Sequence, residues 1–134
     1  MNTHRVIRVI SSCLSRPIGS DIEMWELLNE GLPVEIIEKL VEQDILQQED
    51  LPELTNRTKS SATLSTSDSD LIARLVLLDD FAVEVFTDPF RARKWLRTKN
   101  AVLNNLTPVN VMRTGYGAIL VEQTLGRIAH GIYS

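Results

Sequence analysis

Ser67-Asp-Ser-Asp-Leu-Ile-Ala-Arg-Leu-Val-Leu-Leu-Asp-Asp-Phe-Ala-Val-Glu-Val-Phe86 is the most strongly periodic stretch of the chain. Leu71, Leu75, Leu78, Ala82, Val85 and Phe86 recur at steps of three, four and seven, which places them on one face of an α-helix. Ile72, Val76 and Val83 widen that face, so the helix is expected at the centre of a core rather than on its edge. The Ser67-Asp-Ser-Asp70 spacing reads as its N-terminal cap.

Before this helix, residues from Thr55 to Asp70 are dominated by Ser, Thr and Asp, with only Ala62 and Leu64 apolar, and Pro52 and Asn56 punctuate the approach. That pattern predicts a short helical turn or two and a loop. Earlier still, Ser20-Asp-Ile-Glu23 is a capping box that opens a helix whose buried stripe would be Ile22, Trp25 and Leu28. Gly31 ends it. Pro33 suits the first turn of the next helix, in which Ile36, Ile37, Leu40 and Val41 face inward, Glu35, Glu38, Lys39 and Glu42 face water, and the end falls near Asp44.

After the central helix, Asp88-Pro89 supplies a cap and a first-turn proline for a helix through Arg97. Its inward set is Ala92, Trp95 and Leu96, and Arg91, Arg93, Lys94 and Arg97 point outward. A turn-rich link from Lys99 to Pro108 leads to a short helix over Val109–Arg113 and then to a terminal helix from Thr114, with Val121, Leu125 and Ile128 on its inner side. No segment has strand periodicity and no repeat is present. The expectation is an all-α protein of about seven helices, with one unit to about Leu64 and a second beyond it.

Composition narrows the function. A chain of 134 residues with 43% hydrophobic and 24% charged residues can bury a core of ordinary domain size. No run of apolar residues is long enough to cross a membrane, and the Val6–Ile10 segment is interrupted by Arg8 and too short for a secretory signal, so a cytoplasmic location and no membrane partner are expected. Cys13, the single cysteine, has only His4 and His130 as potential co-ligands, which gives neither a disulfide nor a metal site, and it reads as a small core or surface residue. Residues 1–50 hold ten acids and four bases (net −6) and residues 51–134 hold eight acids and ten bases (net +2), so neither half carries the basic excess of a dedicated nucleic-acid binder.

No nucleophile is paired with a base and no Gly-rich phosphate loop follows a strand, so no catalytic residues and no cofactor are expected, and the chain is not read as an enzyme. The cations Arg91, Arg93, Lys94, Arg97 and Lys99 fit either a phosphate or acidic partner or a merely solvated helix face. Gly126, in mid-helix, costs about 1 kcal/mol relative to alanine, which calls for close packing of another helix or of a partner's backbone. After Gly131 the chain runs on into apolar Ile132 and Tyr133, which suggests a docking segment.

These residues resemble a known family, the Xre/MbcA/ParS-like antitoxins. Thr114-Gly115, Gly117-Ala118, Val121-Glu122, Leu125-Gly126-Arg127-Ile128 and His130-Gly131-Ile132-Tyr133 are similar to the closing motif of that family's toxin-binding domain. Ala92, Trp95-Leu96, Asn100, Leu103 and Thr107-Pro108 are similar to its opening, and Leu64-Ser65, Asp68-Ser69-Asp70 and Phe86 extend the likeness upstream. Gly31-Leu32-Pro33 resembles the entry to the family's Xre-like helix-turn-helix. The resemblance divides the chain into residues 1–19, of unassigned order, a reduced helix-turn-helix region over 20–64, and a toxin-binding domain over 65–134. Two departures stand out: Lys99 replaces a proline, and Asn105 replaces a glycine in a turn that asparagine can keep by adopting left-handed geometry.

The resemblance implies an antitoxin of a type II toxin-antitoxin system, partnered with a RES-type toxin that consumes NAD, and it outlines a site. Arg127, His130, Gly131, Ile132, Tyr133 and Ser134 would cover the toxin's active site, the ring of Tyr133 supplying area and a terminal carboxylate pairing with a cation. Arg57, Thr58, Lys59 and Ser60 correspond to the start of the recognition helix. Only Ser60-Ser61-Ala62-Thr63 lies between Lys59 and Leu64, whereas base reading needs side chains over about two turns, so operator DNA binding and autorepression are expected to be weak or altered. A homodimer is expected as well, with Trp25, Leu28, Val6, Ile7, Val9 and Ile10 as its surface. The alternatives are a homodimeric DNA-binding regulator and an adaptor for a protein other than a toxin.

Overall fold

The computed structural model describes residues 3–55 and 62–131, which form eight α-helices and one turn of 3-10 helix. Among these residues there are isolated β-bridges but no strand, in accord with the all-α expectation. The chain divides into two compact units, one ending at Val76 and the other starting at Leu77, so the division falls inside the long helix.

In the N-terminal unit, α1 (Thr3–Leu14) lies where the sequence reading assigned no order. Val6, Ile10 and Cys13 stand at helical spacing on one face and are buried. Val6 and Ile10 therefore serve the core of this unit and are not free to form a dimer surface. Gln43 donates a long bond to Cys13 Sγ at 3.5 Å, and burial pushes the thiol above its ordinary pKa, so this cysteine stays protonated.

The capping serine of α2 (Asp21–Glu30) behaves as expected, Ser20 Oγ accepting the Glu23 N–H at 3.2 Å. Glu23 itself reaches back to the N–H of Gly19, one residue beyond the usual partner. The buried face is different from the expected one. Met24 and Leu27 are buried, whereas Ile22 is 61% and Trp25 58% exposed. Leu27 and Gly31 share a helical face, and Gly31 is pressed against the backbone of Leu64, where an added Cβ would lie 2.2 Å from the carbonyl oxygen. With φ at 111°, Gly31 also holds a conformation that other residues avoid. That contact rolls α2 so that Leu27 and Met24 face inward and Trp25 faces out.

A short antiparallel pairing continues from there. Leu64 N–H donates to Leu32 O at 2.8 Å and Val34 N–H to Ala62 O at 3.1 Å, with Pro33 and Thr63 forming the bridge between them. Pro33 is thus part of this bridge and precedes α3 (Ile36–Glu42), whose first turn it was expected to join. Ile36, Ile37 and Leu40 are buried as the pattern predicts, and Asp44, at φ 62°, turns the chain away. A single helical turn, α4 (Pro52–Thr55), follows.

The long helix α5 (Thr66–Phe86) is capped by Ser65 rather than Ser67, because Ser65 Oγ accepts the Asp68 N–H at 3.0 Å. Leu64, held by Leu32, fixes where the chain can turn, and the next serine takes the cap. Within the N-terminal unit, fully buried Ser69 accepts the N–H of Leu32 at 2.8 Å, and the Thr66 hydroxyl donates to Asn29 O at 2.8 Å. The end of α2 and the start of α5 are therefore joined by backbone pairing and by two hydroxyls. Ser69→Ala leaves the buried Leu32 N–H without an acceptor and should destabilise the chain by about 1–3 kcal/mol. Ser67→Ala, at an exposed position, should change stability by less than about 0.5 kcal/mol; urea unfolding of the two variants provides the comparison.

Candidate functional site

In the C-terminal unit, α6 (Pro89–Leu96) starts as the sequence predicts, with Asp88 accepting the Phe90 N–H at 3.0 Å and Pro89 in the first turn. Ala92 and Leu96 are buried, and Trp95 is half-buried with its ring 5.8 Å from that of Phe86 and tilted by 43°. Arg93 does not point outward. Its Nε lies 3.0 Å from Asp79 Oδ1 and its Nη2 3.2 Å from Oδ2, a bidentate pair whose carboxylate is 5% exposed. Burial raises the Asp79 pKa above the usual carboxylate value, while the Arg93 hydrogen bonds and charge oppose that rise. Arg97 is half-buried and donates to Arg93 O at 3.3 Å. Of the five cations, Arg91, Lys94 and Lys99 remain exposed.

The link after α6 is a compact turn. Asn100 Oδ1 accepts the Val102 N–H at 2.9 Å to start the 3-10 turn η1 (Ala101–Leu103), and Asn100 N–H donates to Leu106 O at 3.0 Å. Asn104 and Asn105 take φ values of 59° and 61°, so asparagine does keep the left-handed turn at position 105. The Thr107 hydroxyl then caps α7 (Pro108–Val111).

The next helix, α8 (Gly115–Ala129), begins with Thr114 Oγ1 accepting the Gly117 N–H at 3.0 Å. Gly117 is buried, and a Cβ there would lie 1.7 Å from the carbonyl oxygen of Val111. This contact seats the first turn of α8 on the end of α7. Val121, Thr124 and Leu125 are consequently buried, and the Thr124 hydroxyl is satisfied by Leu120 O at 2.8 Å.

The opposite side of α8 is also apolar. Tyr116 is 74% exposed, and Ile119 and Leu120 are large apolar residues left open beside Gln123, Gly126, Arg127 and His130. Across from it, Val102 and Leu106 are exposed, and a groove of about 370 Å³ runs between the η1 turn and α8, lined among others by Leu106, Leu120, Thr124 and Arg127. A Cβ on Gly126 would meet nothing within 4 Å. Packing among the described residues therefore does not require a glycine at this position.

The structure places Arg127 and His130 exposed in the last turns of α8, with the His130 N–H donating to Gly126 O at 3.1 Å. Gly131, at φ 75°, closes the helix in left-handed geometry. Ile132, Tyr133 and Ser134 lie outside the described residues, as do Arg57, Thr58, Lys59 and Ser60. The sequence reading missed Tyr116, Ile119 and Leu120. Their signal was available: a helix that already has an inner stripe at Val121, Leu125 and Ile128 needs no further apolar residues unless a second face is covered. Among the described residues no group of His, Cys, Asp and Glu is arranged to hold a metal ion, and no helix is long and apolar enough to cross a membrane.

An all-α chain whose last helix carries an open apolar face has the form of a protein-binding module. Residues 81–131, which include all of α6, α7 and α8, match the antitoxin Xre/MbcA/ParS C-terminal toxin-binding domain. The chain is 31% identical over 127 residues to an Antitoxin Xre of Photorhabdus laumondii, covering 88% of this chain and 86% of the relative. It is 29% identical over 127 residues to an Antitoxin Xre of Yersinia enterocolitica, with coverage of 88% and 86%. A third Antitoxin Xre, from Pseudomonas putida, is 27% identical over 120 residues, covering 85% of this chain and 76% of the relative. The chain belongs to the Xre/MbcA/ParS antitoxin family, and its C-terminal part is that family's toxin-binding domain.

Two sets of substitutions test the construction of this domain. Arg93→Ala leaves the buried Asp79 carboxylate uncompensated and should cost about 3 kcal/mol. Loss of Arg93 raises the Asp79 pKa further, so folding takes up a proton in the acid range, and the penalty should shrink as pH falls through the raised value. Gly117→Ala drives a methyl into the Val111 carbonyl and should cost more than about 3 kcal/mol. Gly126→Ala, with open space around it, should stabilise the chain by about 0.5–1 kcal/mol. Thermal unfolding of the three variants, the first at several pH values, checks these signs.

Proposed function

We propose that this chain is the antitoxin of a type II toxin-antitoxin pair and that its partner is a RES-type toxin that consumes NAD. The open face of α8, inside the matched toxin-binding domain, is the observation that carries the proposal. Tyr116, Ile119 and Leu120 supply apolar area, and Gly126 lets a partner's backbone come within contact distance of the helix. Farther along the same helix, Arg127, His130 and Gly131 lead to Ile132, Tyr133 and Ser134, the segment that covers the toxin's active site. In this mechanism α8 fixes position and direction, and the segment after it excludes NAD. The antitoxin itself carries out no catalytic step and acts stoichiometrically.

Binding of operator DNA through Arg57, Thr58, Lys59 and Ser60, with autorepression, remains a secondary proposal, and the short span from Ser60 to Thr63 makes that binding weak or altered in sequence preference. A homodimer and a cytoplasmic location belong to the same reading.

Co-purification with the product of the adjacent gene, followed by an assay of NAD loss, tests the proposal. The complex should be silent, and deletion of Ile132–Ser134 should restore NAD loss while the complex still forms through α8. Full inhibition by the shortened chain would place the inhibitory contact elsewhere, and the absence of any complex would reject the toxin assignment.

A further inference from the structure

The groove between the η1 turn and α8 lies wholly within the C-terminal unit, and internal hydrogen bonds hold both of its walls. On one side, Leu120, Thr124 and Arg127 follow at steps of four and three along α8. On the other, Val102 and Leu106 are 51% and 42% exposed on a turn that uses its own amides. Val102 N–H donates to Asn100 Oδ1 at 2.9 Å, Leu103 N–H and Asn105 N–H to Asn100 O at 3.0 and 2.8 Å, and Leu106 N–H to Leu103 O at 3.1 Å. Between the walls Leu103 and Thr124 are buried, and the Thr124 hydroxyl already donates to Leu120 O. The groove therefore rewards apolar side chains, and it presents no row of backbone N–H groups to which an extended segment could pair.

We infer that this groove receives an amphipathic helix of the toxin, with two apolar side chains of that helix, one turn apart, seated between Val102 and Leu106 on one side and Leu120 and Thr124 on the other. A helix satisfies its own backbone and needs only an apolar trough, whereas an added strand needs an open edge that these walls lack. The α8 wall from Leu120 to Arg127 is about 10 Å long at 1.5 Å per residue. That length holds two side chains at the roughly 5–6 Å spacing of helical positions i and i+4. The groove is continuous with the open face of α8 through Leu120 and Arg127, and it lies inside the residues that match the toxin-binding domain, which points to the toxin as the source of the helix. Among the described residues that line it, only Arg127 is charged, so it lacks the cations that a nucleic-acid backbone requires. The inference rests on the α8 contact of the proposed function and makes the η1 turn the second wall of the same surface.

Binding of the full chain to the product of the adjacent gene, measured by biolayer interferometry, tests the inference, with circular dichroism as the folding control. The turn at Leu106 is held by backbone bonds, so substitutions of its side chain should leave the fold intact. Leu106→Ala should weaken binding about tenfold, and Leu106→Asp and Leu106→Lys about a hundredfold each, whereas Leu106→Met should stay within about threefold of the wild type. Val102→Ala, in the same wall, should weaken binding about fivefold. A photo-crosslinking residue at Val102 should attach to a toxin segment whose apolar residues recur at steps of three and four. Unchanged affinity in Leu106→Asp and Leu106→Lys, opposite effects of the two charges, or attachment to a segment without that spacing or to a second copy of this chain overturns the inference. Ile119→Ala separates it from the α8 contact. If Ile119→Ala weakens binding and the groove variants do not, the groove is not part of the toxin surface and the α8 contact stands; with the reverse result the groove stands and the outward face of α8 does not. Absence of any complex rejects both.

Discussion

The close approach of Gly117 to the carbonyl of Val111 is the contact on which the toxin-binding domain depends. A hydrogen atom stands where any other residue would place a methyl 1.7 Å from that oxygen. The first turn of α8 can therefore sit directly on the end of α7, with Thr114 capping the same amide. Once that turn is fixed, helical geometry decides the rest: residues in phase with Gly117, namely Val121, Thr124 and Leu125, go inward, and Tyr116, Ile119 and Gln123 go outward. Which face of α8 stays open is thus set by a backbone contact at the start of the helix. A second glycine contact, Gly31 on the backbone of Leu64, plays the corresponding part in the N-terminal unit and decides which side of α2 meets the core.

The two glycines of α8 serve opposite ends. Gly117 is small because the chain itself fills the space, and Gly126 is small although the chain leaves its space open. A mid-helix glycine without an internal neighbour lowers helix stability by about 1 kcal/mol relative to alanine. In the proposed function, a partner backbone approaching this side of the helix supplies the compensating gain. Arg93 makes a related point about charge. It looks like one more cation on a basic helix, yet its guanidinium is committed to Asp79 and anchors α6.

Much of this was legible in the sequence. The caps at Ser20, Asp88 and Thr114, the helix-ending Gly31 and Gly131, and the buried stripes of α3 and α5 follow from local rules that tertiary structure leaves intact. The errors fall where a contact distant in sequence chose between two local options. α2 has apolar residues on two sides, and Gly31 against Leu64 selected Met24 and Leu27 over Ile22 and Trp25. The cap of α5 moved to Ser65 because Leu64 was already paired with Leu32. Arg93 was read as solvated because its partner lies on another helix. The site divides in the same way: Arg127, His130 and Gly131 came from motif resemblance, while the face of Tyr116, Ile119 and Leu120 emerged only when burial separated the two apolar sides of α8.

A photo-crosslinking residue at Ile119 tests most directly whether the outward face of α8 meets the toxin, as proposed. Irradiation of the purified complex should join this position to the toxin, near the NAD-consuming cleft of the proposed partner, while the same probe at Glu35 on the N-terminal unit should give no adduct within that cleft. Adducts from Glu35 in the cleft, with none from Ile119 in a complex that still blocks NAD loss, would contradict a toxin contact through α8.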